Sequence, residues 1–214
     1  MNRSIISKRI ASILDDIQRM TNTLYAMNTT DIQRYPDNYE VLSTDAALRA
    51  EGIACRLRHL IYTTTGIKKP AYLDTASDAL GIKVHYKKGI FEIVLPGLVP
   101  KRKAWQSAEY LLDPLHAALM QYAKERAMPV FHHCVIAFSH IYDSSLPERR
   151  IRDYDNLELK QIQDVIAAYV LSDDNGLLCD AYHTTQLGDA DLTRISIMEK
   201  ALFPDWLRDR LTSG

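Results

Sequence analysis

The chain has 214 residues, 47% of them apolar and 25% charged, with a formal net charge of −1. These are globular proportions, enough for one domain or one domain with an appendage. The near-neutral charge excludes a global attraction to nucleic acid, so any DNA affinity must rest on local clusters. Three widely separated cysteines, Cys55, Cys134 and Cys179, form neither a zinc spacing nor a disulfide framework and suit a reducing compartment. No apolar run approaches the roughly 20 residues that span a bilayer. Met1-Asn2-Arg3-Ser4 leads into a polar amphipathic helix rather than a signal sequence. The expectation is a cytoplasmic protein without a membrane segment.

Ile6, Ile10, Ile13, Ile17, Met20 and Leu24 recur at steps of three and four, one apolar stripe of a helix reaching about Met27. The polar stretch from Asn28 to Tyr39, with Pro36, breaks it. A second helix is expected from Ser43 or Thr44, with Ala47, Leu48, Ala54, Cys55, Leu57 and Ile61 as apolar positions and Gly66 as its stop. Residues 1–66 thus read as a helical hairpin that packs against the rest of the chain or against a second copy. Arg49, Arg56, Arg58 and His59 form either a basic face or an ordinary solvated helix surface.

Residues 67–214 read as a separate α/β domain. Ile82, Val84 and Tyr86 alternate with Lys83, His85 and Lys87, Lys88-Gly89 turns the chain, and Ile90 to Leu95 returns as a second strand. Beyond Pro96-Gly97, the loop of Lys101, Arg102 and Lys103 beside Trp105 suits a nucleic-acid backbone or is merely solvated. A helix is expected from Trp105 to Arg126, carrying Tyr110, Leu111, Leu115, Leu119 and Tyr122, with Pro114 in its first turns or at a kink. A strand follows from Val130 to His140. His132 and His133 would point to opposite faces of it, so they do not share one metal ion easily.

The most informative stretch is Arg149-Arg150-Ile151-Arg152-Asp153-Tyr154-Asp155-Asn156-Leu157, followed by Ser172-Asp173-Asp174-Asn175-Gly176. With Asp153 and Asp155 ending a strand, both carboxylates face one side. A helix opening at Asp155 and ending before Asp173 can return Asp174 to that point. Three converging carboxylates repel unless a cation sits between them, and a hard, oxygen-loving ion such as Mg²⁺ or Mn²⁺ fits. Such an ion polarises a phosphodiester and activates water, and the arginines at 149, 150 and 152 suit a phosphate-bearing substrate. The plainer reading makes Asp155 and Glu158 a capping box and Asp174-Asn175-Gly176 a tight turn. Asn156, Lys160 and Asp164 form one row on the helix, so Lys160 either reaches a scissile phosphate or pairs with Asp164. Strands from Leu177 to Thr184 and from Asp191 to Met198, then a helix from Phe203 to Leu211, complete the chain.

These elements, in this order, resemble the RusA-like family of Holliday-junction resolvases of bacteria and prophages. The resemblance covers about residues 82–200. It rests on the strand ending in Leu95-Pro96 with a basic loop, the long helix, the strand, Arg-x-Asp-x-Asp-Asn-Leu at 152–157, a helix, Asp173-Asp174 and two closing strands. It implies an α/β (α+β) fold with a small mixed sheet and packed helices, preceded here by the helical hairpin. It also implies a homodimer and Mg²⁺-dependent cleavage of branched DNA in recombination and repair. By the same resemblance Asp153, Asp155 and Asp174 are the essential carboxylates. The family's lysine lies one residue before Lys160, and its loop asparagine has no match near Pro100. The rival expectations are a non-catalytic DNA-binding or scaffold protein on the same fold, and an interaction protein working through residues 1–66.

Overall fold

The computed structural model describes residues 3–100, 109–148 and 151–212. They form two compact units, 1–72 and 73–214.

The first unit is built on two long helices, α1 (Arg3–Thr29) and α2 (Pro36–Thr64). They run antiparallel: Arg9 bonds Thr63 (3.5 Å), Arg56 bonds Asp16, and Thr23 donates to Asp45 (2.9 Å). Between them Asp31 Oδ1 accepts the backbone N–H groups of Gln33 and Arg34, a local turn that competes with helix. α2 begins at Pro36, not at Ser43 or Thr44. Proline lacks only an N–H that the first turn leaves unpaired anyway, and its φ is already helical, so it starts the helix. A further helix, α3 (Lys69–Leu80), was not foreseen; the division between the units falls within it, between Tyr72 and Leu73. Gly81, at φ +77°, ends α3: its N–H reaches Asp78 O (3.0 Å) and the N–H of Ile82 reaches Ser77 O (3.2 Å).

The second unit is a five-stranded mixed sheet with helices, an α+β architecture. Its strands are β1 (Lys83–Lys87), β2 (Ile90–Leu95), β3 (Cys134–Asp143), β4 (Cys179–Gly188) and β5 (Leu192–Glu199), in the order β1-β2-β5-β3-β4. All pairings are antiparallel except β3 with β4. Lys88 (φ +53°) and Gly89 (φ +80°) turn the β1–β2 hairpin with both central residues left-handed, the geometry that matches strand twist. A Cβ at Gly89 would also meet Leu202 Cδ1 at 2.8 Å. The parallel pair needs a crossover, which α5 (Leu159–Val170) supplies. α4 (Glu109–Glu125) packs with α5 on one face of the sheet, where Phe91, Ile93, Leu115, Leu119, Phe138, Ile162, Ile166, Ile195 and Ile197 are fully buried. The start of α4 expected at Trp105 lies outside the described residues. α6 (Phe203–Thr212) sets Phe203 and Trp206 against Tyr182 of β4.

Two local expectations change here. β3 starts at Cys134, because Phe131 instead bridges Leu171 beyond the end of α5, with its N–H on Val170 O (2.8 Å). α5 starts at Leu159 rather than at Asp155, with Glu158 as its cap. The Glu158 carboxylate accepts the N–H of Gln161 (3.5 Å). Asp155 instead belongs to a separate 3-10 turn, Tyr154–Asn156, and Leu157 is buried in the core between turn and helix. No helix among the described residues is long and apolar enough to cross a membrane.

Candidate active site

The 3-10 turn is held by its middle-facing aromatic. Tyr154 stacks on His183 (ring centroids 5.1 Å) and on His140 (5.5 Å), and its hydroxyl meets Thr185 Oγ1 at 3.0 Å. All three partners lie on β3 and β4, the parallel pair. His140 is buried beside His183, and no described residue bonds either of its ring nitrogens. Burial, with the neighbouring His183 adding to it, pushes the His140 pKa down to about 4. Burial also lowers that of His183. Both rings therefore sit neutral at neutral pH, as an aromatic floor under the turn.

Anchoring Tyr154 inward leaves its two acidic neighbours outside. Asp155 and Asp153 are both exposed; Asp153 precedes the turn in extended conformation (φ −67°, ψ 143°) and makes no capping hydrogen bond. They do not end a strand.

Asp155 and Asp174 share one pocket. Both line an open pocket of about 430 Å³, whose wall also carries Tyr154, Lys160, Gln163 and Asp164. The pocket lies at the start of α5 and beside the loop that follows it. Asp153 is not among the described residues that line it. Asp173 is engaged elsewhere: its carboxylate accepts the backbone N–H of Asn175 (3.1 Å) and its Nδ2 (2.8 Å), and these bonds hold its pKa below the usual range. That turn sends Asp174 toward the pocket rather than its neighbour.

Lys160 stands on the pocket rim, its ammonium on Asp164 at 3.0 Å, both well exposed. The Asp164 hydrogen bond raises the Lys160 pKa, and the charge of Asp174 adds a smaller pull. A cation thus stands beside two acids, Asp164 and Asp174, without being buried by them. Among the described residues no three His, Cys, Asp or Glu side chains form a group able to hold a metal ion. What the pocket offers is carboxylate oxygen from Asp155 and Asp174. That donor set fits Mg²⁺, which keeps several waters and takes one or two protein carboxylates plus substrate phosphate.

Of the expected basic residues, Arg152 is half-buried and its N–H donates to Tyr142 Oη (3.2 Å). Lys101, Arg102, Lys103, Arg149 and Arg150 lie outside the described residues. Pro100, just before the first group, accepts the N–H of Glu158 at 2.9 Å, so that chain passes the foot of the pocket.

Sequence reasoning overlooked His140, His183 and the inward role of Tyr154. Tyr154 stood inside the motif, and the histidines stood in strand-like runs. What brings them together is the register Phe138↔His183 and His140↔Thr185, which no local signal encodes.

No curated protein matches the chain. The profile of a family of unknown function, DUF6100, matches residues 2–214, and the chain belongs to that family.

Proposed function

We propose that the protein is a metal-dependent endonuclease that hydrolyses phosphodiesters in branched DNA, of the kind that recombination and repair produce. The observation that carries this reading is the meeting of Asp155 and Asp174 on one open pocket, from opposite ends of α5, beside the exposed cation of Lys160. Asp155 and Asp174 would hold the divalent ion, with Asp153 one residue from the turn as the third acid that the family resemblance nominates. Mg²⁺ bound there supplies a polarised phosphodiester and a more acidic attacking water. The open pocket leaves room for a backbone phosphate beside the two carboxylates. Lys160, already paired with Asp164, would meet that phosphate or the departing oxygen. Arg152, with Lys101, Arg102, Lys103, Arg149 and Arg150, would position phosphates rather than read bases. A homodimer would supply two sites related by a two-fold axis, which paired cuts at a four-way junction require. The proposed compartment is the cytoplasm.

The test uses a synthetic four-way junction with Mg²⁺ or with EDTA. Cleavage is expected with Mg²⁺ only. Asp155→Asn and Asp174→Asn should abolish it while junction binding in Ca²⁺ persists. Full activity in Asp155→Asn removes the metal-site reading.

A second reading, a non-catalytic DNA-binding or scaffold protein with a lapsed site, draws on the absence of a three-ligand group among the described residues and on the pairing of Lys160 with Asp164. Calorimetric titration with Mg²⁺ separates the two, since the scaffold has no saturable site.

A further inference from the structure

Cys134 and Cys179 are far apart in the chain and showed no pairing pattern, yet they open β3 and β4 as directly opposed partners in the parallel ladder. Opposed positions in neighbouring strands place their side chains on the same face, and here both join the core beneath α5. Both are free thiols. We propose that Cys134 and Cys179 form a reversible disulfide, a redox modification site where the parallel strand pair begins.

The chemistry is asymmetric. Burial raises the Cys134 pKa, and the neighbouring thiol holds that of Cys179 lower. Cys179 is also the more reachable sulfur and is the attacking thiol. It stands on the edge strand of the sheet, and the preceding residues from Ser172 to Leu177 are exposed. The oxidant is a low-molecular-weight disulfide such as oxidised glutathione. The Cys179 thiolate attacks one glutathione sulfur, the glutathione S–S bond breaks, and one glutathione leaves as a thiol. The Cys134 thiolate then attacks the Cys179 sulfur of the mixed disulfide and expels the second glutathione. Two protein thiols are oxidised to one disulfide while one glutathione disulfide is reduced to two thiols.

Geometry permits this bond: neighbouring strands lie about 4.7–4.9 Å apart, within the roughly 4.4–6.8 Å between Cα atoms that a disulfide spans. Closing it makes a covalent ring from 134 to 179, and Asp153, Asp155, Lys160 and Asp174 all lie inside that ring. The inference does not depend on what the pocket catalyses.

The experiment uses the folded full-length chain and oxidised glutathione. Free thiols are counted after denaturation, and the peptides are mapped by mass. The expected result is the loss of both core thiols, with a peptide joining Cys134 to Cys179, no retained glutathione on either, and return of both thiols in reduced glutathione; Cys55 is scored separately. Cys179→Ser should leave Cys134 reduced in folded protein. Two results overturn the proposal: both cysteines remaining thiols under conditions that oxidise Cys55, or each carrying its own glutathione. The readout on the unaltered chain stands even where the variant does not fold.

Discussion

The two units solve the burial problem differently. In the sheet unit, inward residues are sealed: Phe91, Ile93, Phe138, Ile162 and Ile197 are all 0% exposed. In the hairpin, much of the apolar surface of α1 stays in contact with solvent: Ile10 is 42% exposed and Leu24 47% on its stripe, Leu14 beside it is 59% exposed, and only Ile13 is buried. Polar links such as Thr23–Asp45 and Arg56–Asp16 join its two helices instead. A hydrophobic period therefore specifies a helix without specifying how much of its apolar face is covered. A mixed sheet walled by helices covers one face of its inner strands, whereas two helices side by side leave most of each circumference open.

The contrast is easiest to break by truncating matched side chains. Phe138→Ala should cost about 3–5 kcal/mol, the toll of a cavity in a sealed core. Leu14→Ala should change stability by no more than about 0.5 kcal/mol, as exposed sites do. Chemical denaturation of the two variants measures both, and comparable losses would mean that the α1 stripe is covered in solution.

Acid should expose the sheet unit in a way the hairpin does not share. His140 falls from its ordinary value near 6.5 to about 4 on folding, so the unfolded chain binds its proton more readily. Its neutral form favours the fold fully above pH 6.5, and that contribution is lost as pH falls from there through 4. At about 1.36 kcal/mol per tenfold change in proton affinity, the loss is roughly 3 kcal/mol. His140→Phe should flatten the drop in denaturation midpoint between pH 7 and pH 4, and an unchanged slope would place the acid sensitivity elsewhere.

A smaller effect than either core change belongs to the hairpin's polar links. Asp45 accepts from Thr23 and from Arg49 (2.7 Å), and the Arg49 bond chiefly lowers its pKa. These groups are partly solvated, so Asp45→Ala should cost about 1 kcal/mol or less. A larger loss in thermal unfolding would show that the polar links, rather than apolar contact, hold α1 to α2.

The candidate site was half legible. Asp155, Asp174 and Lys160 follow from the acidic motif and the helix between its two halves, and they do meet at one pocket. The strand expected at Asp153 and Asp155 is a 3-10 turn instead: the ring of Tyr154 packs on His140 and His183, and the backbone curls around it. The capping role expected of Asp155 passes to Glu158 for the same reason.

By itself the chain's order of residues determined its local elements. The α1 stripe, the Lys88-Gly89 turn and the alternation of β1 are written in neighbours a few residues apart, where periodicity and backbone preference act. Tertiary structure decided which distant residues meet: Asp155 with Asp174, Tyr154 with two histidines, Cys134 with Cys179. The last two meetings depend on β4 pairing with β3 in one register, and a slip of one residue would turn His183 and Cys179 to the opposite face. Register is selected by the burial of the whole face at once, a condition that no short stretch of sequence contains.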